Sequence, residues 1–237
     1  LFGMVDKVQI AIDRIRQFEP PEGYYVAFSG GKDSQTVYHL CKEAGVTFDA
    51  HYNLTTVDPP ELVKFIKTKY PNAIIERPRF TMWELIVKNG SPPTRLRRYC
   101  CRELKERGGE NRMIVTGVRW AESVRRSKTR AMLEKFGQDK ILFNDNDDMR
   151  KMIEICTTKS KRILNPIIDW EDSEVWEYLR SRNIEYCQIY NEGHHRIGCI
   201  GCPMANTIES DFKRWPQYYR NYLKAFERML REREKET

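Results

Sequence analysis

Apolar positions at the start of the chain recur near the helical period, at Val5, Val8, Ile12 and Ile15, and predict an amphipathic helix that stops before Pro20-Pro21. Tyr24 to Phe28 is a short, aromatic-rich apolar run, the pattern of a buried strand. A glycine turn follows it, and Gln35 to Ala44 reads as a helix stopped by Gly45. The alternation then continues. Val46 to Leu54 is strand-like, DPPELVKFIKTKY is a helix with prolines in its first turn, and Ala73 to Glu76 is another strand. TMWELIVKNG is a helix that Thr81 can cap and Asn89-Gly90 ends, and Met113 to Val118 is a further apolar strand. Strands separated by helices imply parallel pairing, so the expected class is α/β with a doubly wound, mainly parallel sheet.

From about Ala121 to Ile163 the pattern decays into a polar, charged stretch that includes NDNDDMRKM, read as a long excursion, a hairpin or a flap over the site. RILNPIIDW resumes order. EDSEVWEYLRSRN is a helix whose acidic first residues suit its dipole, and the ending from Ser210 to Glu236 is helical and densely charged. No internal repeat or low-complexity segment is visible.

Composition narrows the class. At 237 residues, 40% hydrophobic and 32% charged, the chain fits one domain with an appendage. No apolar run approaches the roughly 20 residues of a membrane span. The opening LFGMVDKVQIAIDRIRQFEPPEG lacks the basic, apolar and small-residue regions of a signal peptide, so a cytoplasmic protein with no membrane partner is expected. The first residue is Leu1 and not Met, and either terminus is open to trimming. Lysine plus arginine exceed aspartate plus glutamate by 41 to 34, a net charge of +7, concentrated in RLRRYCCRELKER and RWAESVRRSKTR. An anionic partner, nucleotide or nucleic acid, is one reading, and a solvated basic face is the other.

The glycine turn, SGGKDS at residues 29–34, carries the first candidate chemistry. It is not a Walker loop, which would need glycine where Val26 stands and Ser or Thr where Asp33 stands. Gly30 and Gly31 let backbone amides approach an anion, the following helix start adds partial positive charge, and Ser29, Lys32 and Ser34 add donors. An ordinary strand-to-helix turn is the bland alternative.

Seven cysteines, an odd number without a signal peptide, do not read as a disulfide framework. Cys41, Cys156 and Cys187 have no assigned role. Cys100-Cys101 and Cys199-x-x-Cys202 could together bind zinc, hold an iron-sulfur cluster or remain free thiols. The divergence of adjacent side chains suits a wide cluster better than one small ion. His194 and His195, just before Cys199, read as loop donors.

SGGKDS after a strand resembles the signature of pyrophosphatase-loop, or adenine nucleotide alpha-hydrolase-like, enzymes. Within them the chain resembles the phosphoadenosine phosphosulfate (PAPS) reductase family over nearly all of residues 20–205. The other stations are TTVDPPE at 55–61, RYCCRELKE at 98–106, GVRWAES at 117–123 with Arg125 and Arg126 after it, NPIIDWEDSEVWEYL at 165–179 and YNEGHHRIGCIGCP at 190–203. The resemblance implies an N-terminal helix over 1–22, a nucleotide-binding domain over 23–205 and a C-terminal charged helix over 206–237. It implies that Ser29 to Ser34 hold phosphates, that Thr55 and Asp58 lie near the nucleotide or its Mg2+, and that Gly117 and Arg119 face the same pocket. A strand ending at Gly117 would place Arg119 at the carboxyl edge of the sheet, where its planar fork suits phosphate or sulfate; a surface ion pair is the alternative. The CC and C-x-x-C pattern is that of the [4Fe-4S] adenosine phosphosulfate (APS) reductases.

Two departures matter. Those reductases attack sulfur with a cysteine in a Glu-Cys-Gly-Leu-His motif near the C-terminus, and this sequence has no cysteine after Cys202. Lys32 resembles the ATP-splitting members of the superfamily, where a cation can neutralise leaving pyrophosphate. The leading expectation is therefore an ATP pyrophosphatase that inserts sulfur, as in DNA phosphorothioation or RNA thiolation, with a nucleic-acid acceptor and a sulfur donor such as a cysteine desulfurase. In that reading Lys32, Asp33 and Arg119 are catalytic, and Asp33 either holds magnesium or caps the helix. The alternatives are a PAPS or APS reductase using thioredoxin, and a non-catalytic nucleotide and cluster sensor.

Overall fold

The computed structural model describes residues 6–136, 141–143 and 161–236. Much of the excursion expected as a hairpin or a flap, including NDNDDMRKM and Cys156, lies outside them. The described chain divides into two compact units: the first holds residues up to 52, 72–74 and 109–186, the second 53–71, 75–108 and from 187 onward.

The first unit is built on the sheet. β1 (Tyr24–Ala27) pairs in parallel with β2 (Phe48–Asn53) on one side and β4 (Met113–Val115) on the other, and β4 pairs in parallel with β7 (Lys161–Leu164). The full order is β3-β2-β1-β4-β7-β5-β6, with β3 (Ile74–Glu76) at one edge. At the other edge β5 (Leu133–Phe136) pairs antiparallel with both β7 and β6 (Ile141–Phe143), so the excursion contributes a hairpin to a mixed sheet. Parallel strands are covered on both faces, and β1 and β4 accordingly bury Tyr24 and Val26 with Tyr25 between them, and Met113 and Val115 with Ile114 between them.

Helix α1 (Lys7–Gln17) starts at Asp6, whose carboxylate accepts from Val8 and Gln9 amides, and packs Ile12 and Ile15 inward. It lies against α2 (Lys32–Ala44), as does α7 (Asp172–Ser181). Gly45 closes α2 at φ 72°, the left-handed conformation glycine supplies cheaply. The helix begins at Lys32, three residues before the predicted start.

In the second unit α3 (Pro60–Lys69) has proline in its first turn as predicted, and α4 (Met82–Lys88) is opened by a reciprocal capping box between Thr81 and Glu84. α4 packs against the long α9 (Pro216–Glu236) around Leu85, Ile86, Tyr222, Ala225 and Met229. The C-terminal helix predicted as one piece is two: α8 (Ile208–Arg214) ends at Trp215 and Pro216 opens α9, because proline suits a first turn and cannot continue a helix. The periodicity also missed two short helices, α5 (Tyr99–Leu104) here and α6 (Val124–Thr129) in the first unit. Among the described residues, no helix is long and apolar enough to cross a membrane.

Candidate functional site

The chain runs outward from β1 through β2 to β3, then returns to place β4 on the other side of β1. The loops leaving β1 and β4 therefore diverge at a topological switch point, the crevice where doubly wound sheets bind ligands. SGGKDS leaves β1 there, and Gly117 and Arg119 leave β4.

Gly30 takes φ 70°, and Ser34 Oγ donates to Gly31 carbonyl at 2.9 Å while it accepts from Ser29 amide at 3.2 Å, folding the loop onto the first turn of α2. Gly31 is the N-cap and no side chain caps α2. Asp33 does not cap the helix either: its Oδ1 accepts from Arg119 Nε at 2.7 Å, and its Oδ2 stands 3.4 Å from Lys32 Nζ. Gly117 is required by closeness, since a Cβ there would stand 2.8 Å from the Asp33 carbonyl carbon and oxygen.

The β4 loop is anchored from below. Thr116 amide donates to Leu164 carbonyl at 2.9 Å, and its hydroxyl donates to Asn165 Oδ1. Asn165 Nδ2 donates to Ala131 carbonyl at 2.7 Å and to the fully buried Glu134 carboxylate at 2.9 Å, which also pairs with Arg130. These residues were not singled out from the sequence, because only the pairing of β7 with β5 brings them together.

Arg119 is 2% exposed, and all of its nitrogens donate within the protein: Nε to Asp33, Nη1 to Trp170 carbonyl at 3.2 Å and Nη2 to Asp172 Oδ1 at 2.9 Å. It is a buried organiser of the loop rather than a surface ion pair. Asp172, which opens α7, also stands 3.0 Å from Lys32 Nζ. Burial would raise the Asp172 carboxyl, but its hydrogen bond and attraction to Lys32, then Arg119, hold it below the usual carboxylate range. Lys32, Asp33, Arg119 and Asp172 form one ion network in which Asp172 is the member sequence reasoning missed; its place in an acidic helix start gave the only cue.

The remaining expected residues belong to the second unit. Thr55 amide donates to Asp58 Oδ2 at 2.6 Å, and both residues are buried. Asp58 lines an open cavity of about 560 Å³ together with Leu54, Thr56, Val63, Lys64 and Tyr218. Cys199 Sγ donates to Thr55 Oγ1 at 3.5 Å, joining this turn to the C-x-x-C segment. Cys100 and Cys101 lie in the first turn of α5, and Cys100 and Cys199 pack on the core around Tyr222.

Charge on Cys199, Cys100 and Cys202 reaches the Tyr222 hydroxyl, whose proton is already held by burial, so three of the four cysteines expected as ligands lie around this ring. The hydrogen bond from Cys100 pushes Cys101 down to about 5, and Arg98, donating at 3.6 Å, assists; Cys100 is pushed up by the same bond. Lys105 is a further unforeseen neighbour, its ammonium pushed up by Cys199 and Asp58.

Among the described residues no three His, Cys, Asp or Glu side chains form a group that could hold a metal ion. A four-iron cluster takes four cysteines around a larger body, and the four free, soft thiols Cys100, Cys101, Cys199 and Cys202 suit that chemistry. Cys41 and Cys187 are buried with their thiols pushed up by desolvation, consistent with core packing.

Comparison with known proteins fits this arrangement. Residues 23–205 match the phosphoadenosine phosphosulfate reductase domain. Adenosine 5'-phosphosulfate reductase of Oceanobacillus iheyensis is 30% identical over 187 residues, spanning 73% of this chain and 68% of that protein. The protein of the same name from Staphylococcus epidermidis is 27% identical over 213 residues, 87% and 71% of the two chains. In fold the chain is similar to phosphoadenylyl-sulfate reductase of Candida auris, with a TM-score of 0.53 at 14% identity over 80% of this chain and 87% of that one. It is similar too to FMN adenylyltransferase of Candida glabrata in complex with ATP, with a TM-score of 0.51 at 14% identity over 81% and 60%. By the match over 23–205, the chain belongs to the phosphoadenosine phosphosulfate reductase domain family.

Proposed function

We propose that the chain is an adenine-nucleotide enzyme that splits ATP into AMP and pyrophosphate at the SGGKDS loop and uses a [4Fe-4S] cluster in sulfur insertion into an acceptor such as a nucleic acid. The observation that carries this reading is the placement of Lys32. It opens the uncapped helix α2 with its side chain 4% exposed, directly after Gly30 and Gly31. A cation fixed there stabilises the charge that develops on a leaving pyrophosphate, and the α2 amides add donors for the same oxygens. Gly30, Gly31, Ser29 and Ser34 would cradle the phosphates. Magnesium would arrive with the nucleotide, because both Asp33 oxygens already face cations.

Cys100, Cys101, Cys199 and Cys202 would hold the cluster, which supplies redox or sulfur-carrying chemistry when bound. Thr55 and Lys105 would steady Cys199. The +7 charge suits a polyanionic acceptor, and a cysteine desulfurase is a fitting class of sulfur donor.

A second reading, reduction of a sulfonucleotide to sulfite with thioredoxin as reductant, is favoured by the relatives named adenosine 5'-phosphosulfate reductase. It needs a nucleophilic thiol beside the four ligands, and among the described residues the other cysteines, Cys41 and Cys187, are buried. The deciding experiment incubates anaerobically purified protein with magnesium and ATP, APS or PAPS, and assays pyrophosphate and sulfite. Pyrophosphate from ATP is expected; sulfite from a sulfonucleotide without pyrophosphate from ATP would replace this reading with the second.

A further inference from the structure

Two cations, Lys32 and Arg119, meet two carboxylates, Asp33 and Asp172, in the crevice, so the set is neutral as it stands. A neutral set offers an incoming polyphosphate little net attraction; one carboxylate must leave for the cations to act on the ligand. The four groups are unequal in their freedom to leave. Lys32 and Arg119 are 4% and 2% exposed, Asp33 is 21% exposed, and Asp172 is 56% exposed at the first residue of α7.

The contacts of Asp172 are those of a phosphate oxygen. A single atom, Oδ1, bridges Lys32 Nζ at 3.0 Å and Arg119 Nη2 at 2.9 Å, as a non-bridging phosphate oxygen would bridge an ammonium and a guanidinium. Asp33 cannot leave as easily: Arg119 Nε holds it at 2.7 Å, and its own backbone is packed against Gly117. Rotation of Asp172 into water would leave Lys32 and Arg119 opposed by one carboxylate and would free the place Oδ1 fills.

We infer that Asp172 is a specificity-determining plug of the phosphate site, an internal anion that a polyphosphate must exchange for. The inference rests on the phosphate-loop reading and deepens it. A ligand with one phosphate repeats the single exchange, whereas a polyphosphate gains further contacts to the loop amides after it, so Asp172 selects for chains of phosphates.

Calorimetric titration of the full chain with inorganic pyrophosphate, with magnesium and with EDTA, tests this. Asp172→Asn, nearly isosteric and uncharged, is expected to bind pyrophosphate about tenfold more tightly than wild type under both conditions. Asp172→Ser, too short to bridge, is expected to give the same gain and serves if the asparagine variant fails to fold. Unchanged affinity would overturn the plug, and weaker binding confined to magnesium would make Asp172 a metal ligand instead. If wild type and variants alike ignore pyrophosphate and ATP, and Lys32→Ala changes nothing, the phosphate-loop reading itself falls and the plug with it. Pyrophosphate binding that is lost in Lys32→Ala yet indifferent to Asp172 would remove the plug alone.

Discussion

The phosphate-loop region of the first unit and the cysteine region of the second are organised on opposite principles. In the loop every charge is answered from within: Lys32 and Arg119 are buried among Asp33, Asp172 and the Trp170 carbonyl. In the cysteine region, Cys100 and Cys199 pack on the apolar cluster of Tyr222 and α4, and the thiols make ordinary sulfur hydrogen bonds, 3.6 Å from Arg98 to Cys101 and 3.5 Å from Cys199 to Thr55. On the proposed reading a transient anion would have to exchange for the internal counterions of the loop. On the same reading the cysteines would be the soft donors that a resident cluster takes up.

The comparison breaks first at the cysteines. Cys199→Ser should reduce bound iron and sulfide by more than about tenfold after anaerobic purification, because an oxygen ligand replaces a thiolate. ATP binding should stay within about threefold of wild type if the two regions work by separate chemistry. Full retention of iron in this variant would remove Cys199 from the ligand set.

Arg119→Met is the corresponding break in the loop. It leaves the Asp33 carboxylate without its main partner, and uncompensated charges of this kind cost about 3–5 kcal/mol. The low end, about 3 kcal/mol, is expected because Asp33 and Asp172 keep some water. Urea unfolding measures it. A loss under about 1 kcal/mol would show that the network does not hold the loop.

Much of the fold was legible because periodicity and punctuation agree. Tyr24 to Phe28, Gly45, Pro60, Thr81 and Gly90 mark their elements with side-chain pattern and turn chemistry alone, and α1, α2, α3 and α4 follow. The elements that were missed are short or depend on partners far along the chain. α5 holds six residues, too few for a period, and although a hairpin was one reading of the excursion, the place of β5 and β6 in the sheet is set by the pairing with β7. The site divides in the same way. SGGKDS and the cysteine pairs are local motifs and could be read directly. Asp172, Lys105, Asn165 and Glu134 act through contacts far along the chain, where an acidic helix start or a lone lysine looks like ordinary surface.

Two glycines sharpen the comparison at smaller magnitude. A Cβ at Gly201 would stand 2.6 Å from the Phe212 ring on a backbone at φ +70°, and one at Gly117 would stand 2.8 Å from Asp33 backbone atoms. Overpacking of this kind costs about 1–3 kcal/mol, and the left-handed backbone adds about 1 kcal/mol at Gly201. Gly201→Ala should therefore be the less stable variant and lose iron, while Gly117→Ala should keep iron and lose pyrophosphate binding. A reversal of the two readouts would mean that the regions are not separable by their chemistry.

The smallest effect is acid sensitivity. In the first unit Asp49 is held below its ordinary value: burial acts to raise it, and hydrogen bonds from Arg112 and His51 outweigh that. Asp169 is depressed by Arg14 and Asp172 by Lys32, again against burial. A depressed folded value means that each carboxylate contributes stability above the unfolded value of 3.8, and that the contribution disappears as pH falls through the lower folded values. In the second unit Glu84 is also depressed, but it is fully exposed in its capping box. Pepsin digestion from pH 4.5 down to 2 should therefore cut the β1, β2, β4 and β7 segments before α4 and α9. Cleavage in the opposite order would show that these ion pairs add nothing to the first unit, and that its buried sheet alone sets the order of unfolding.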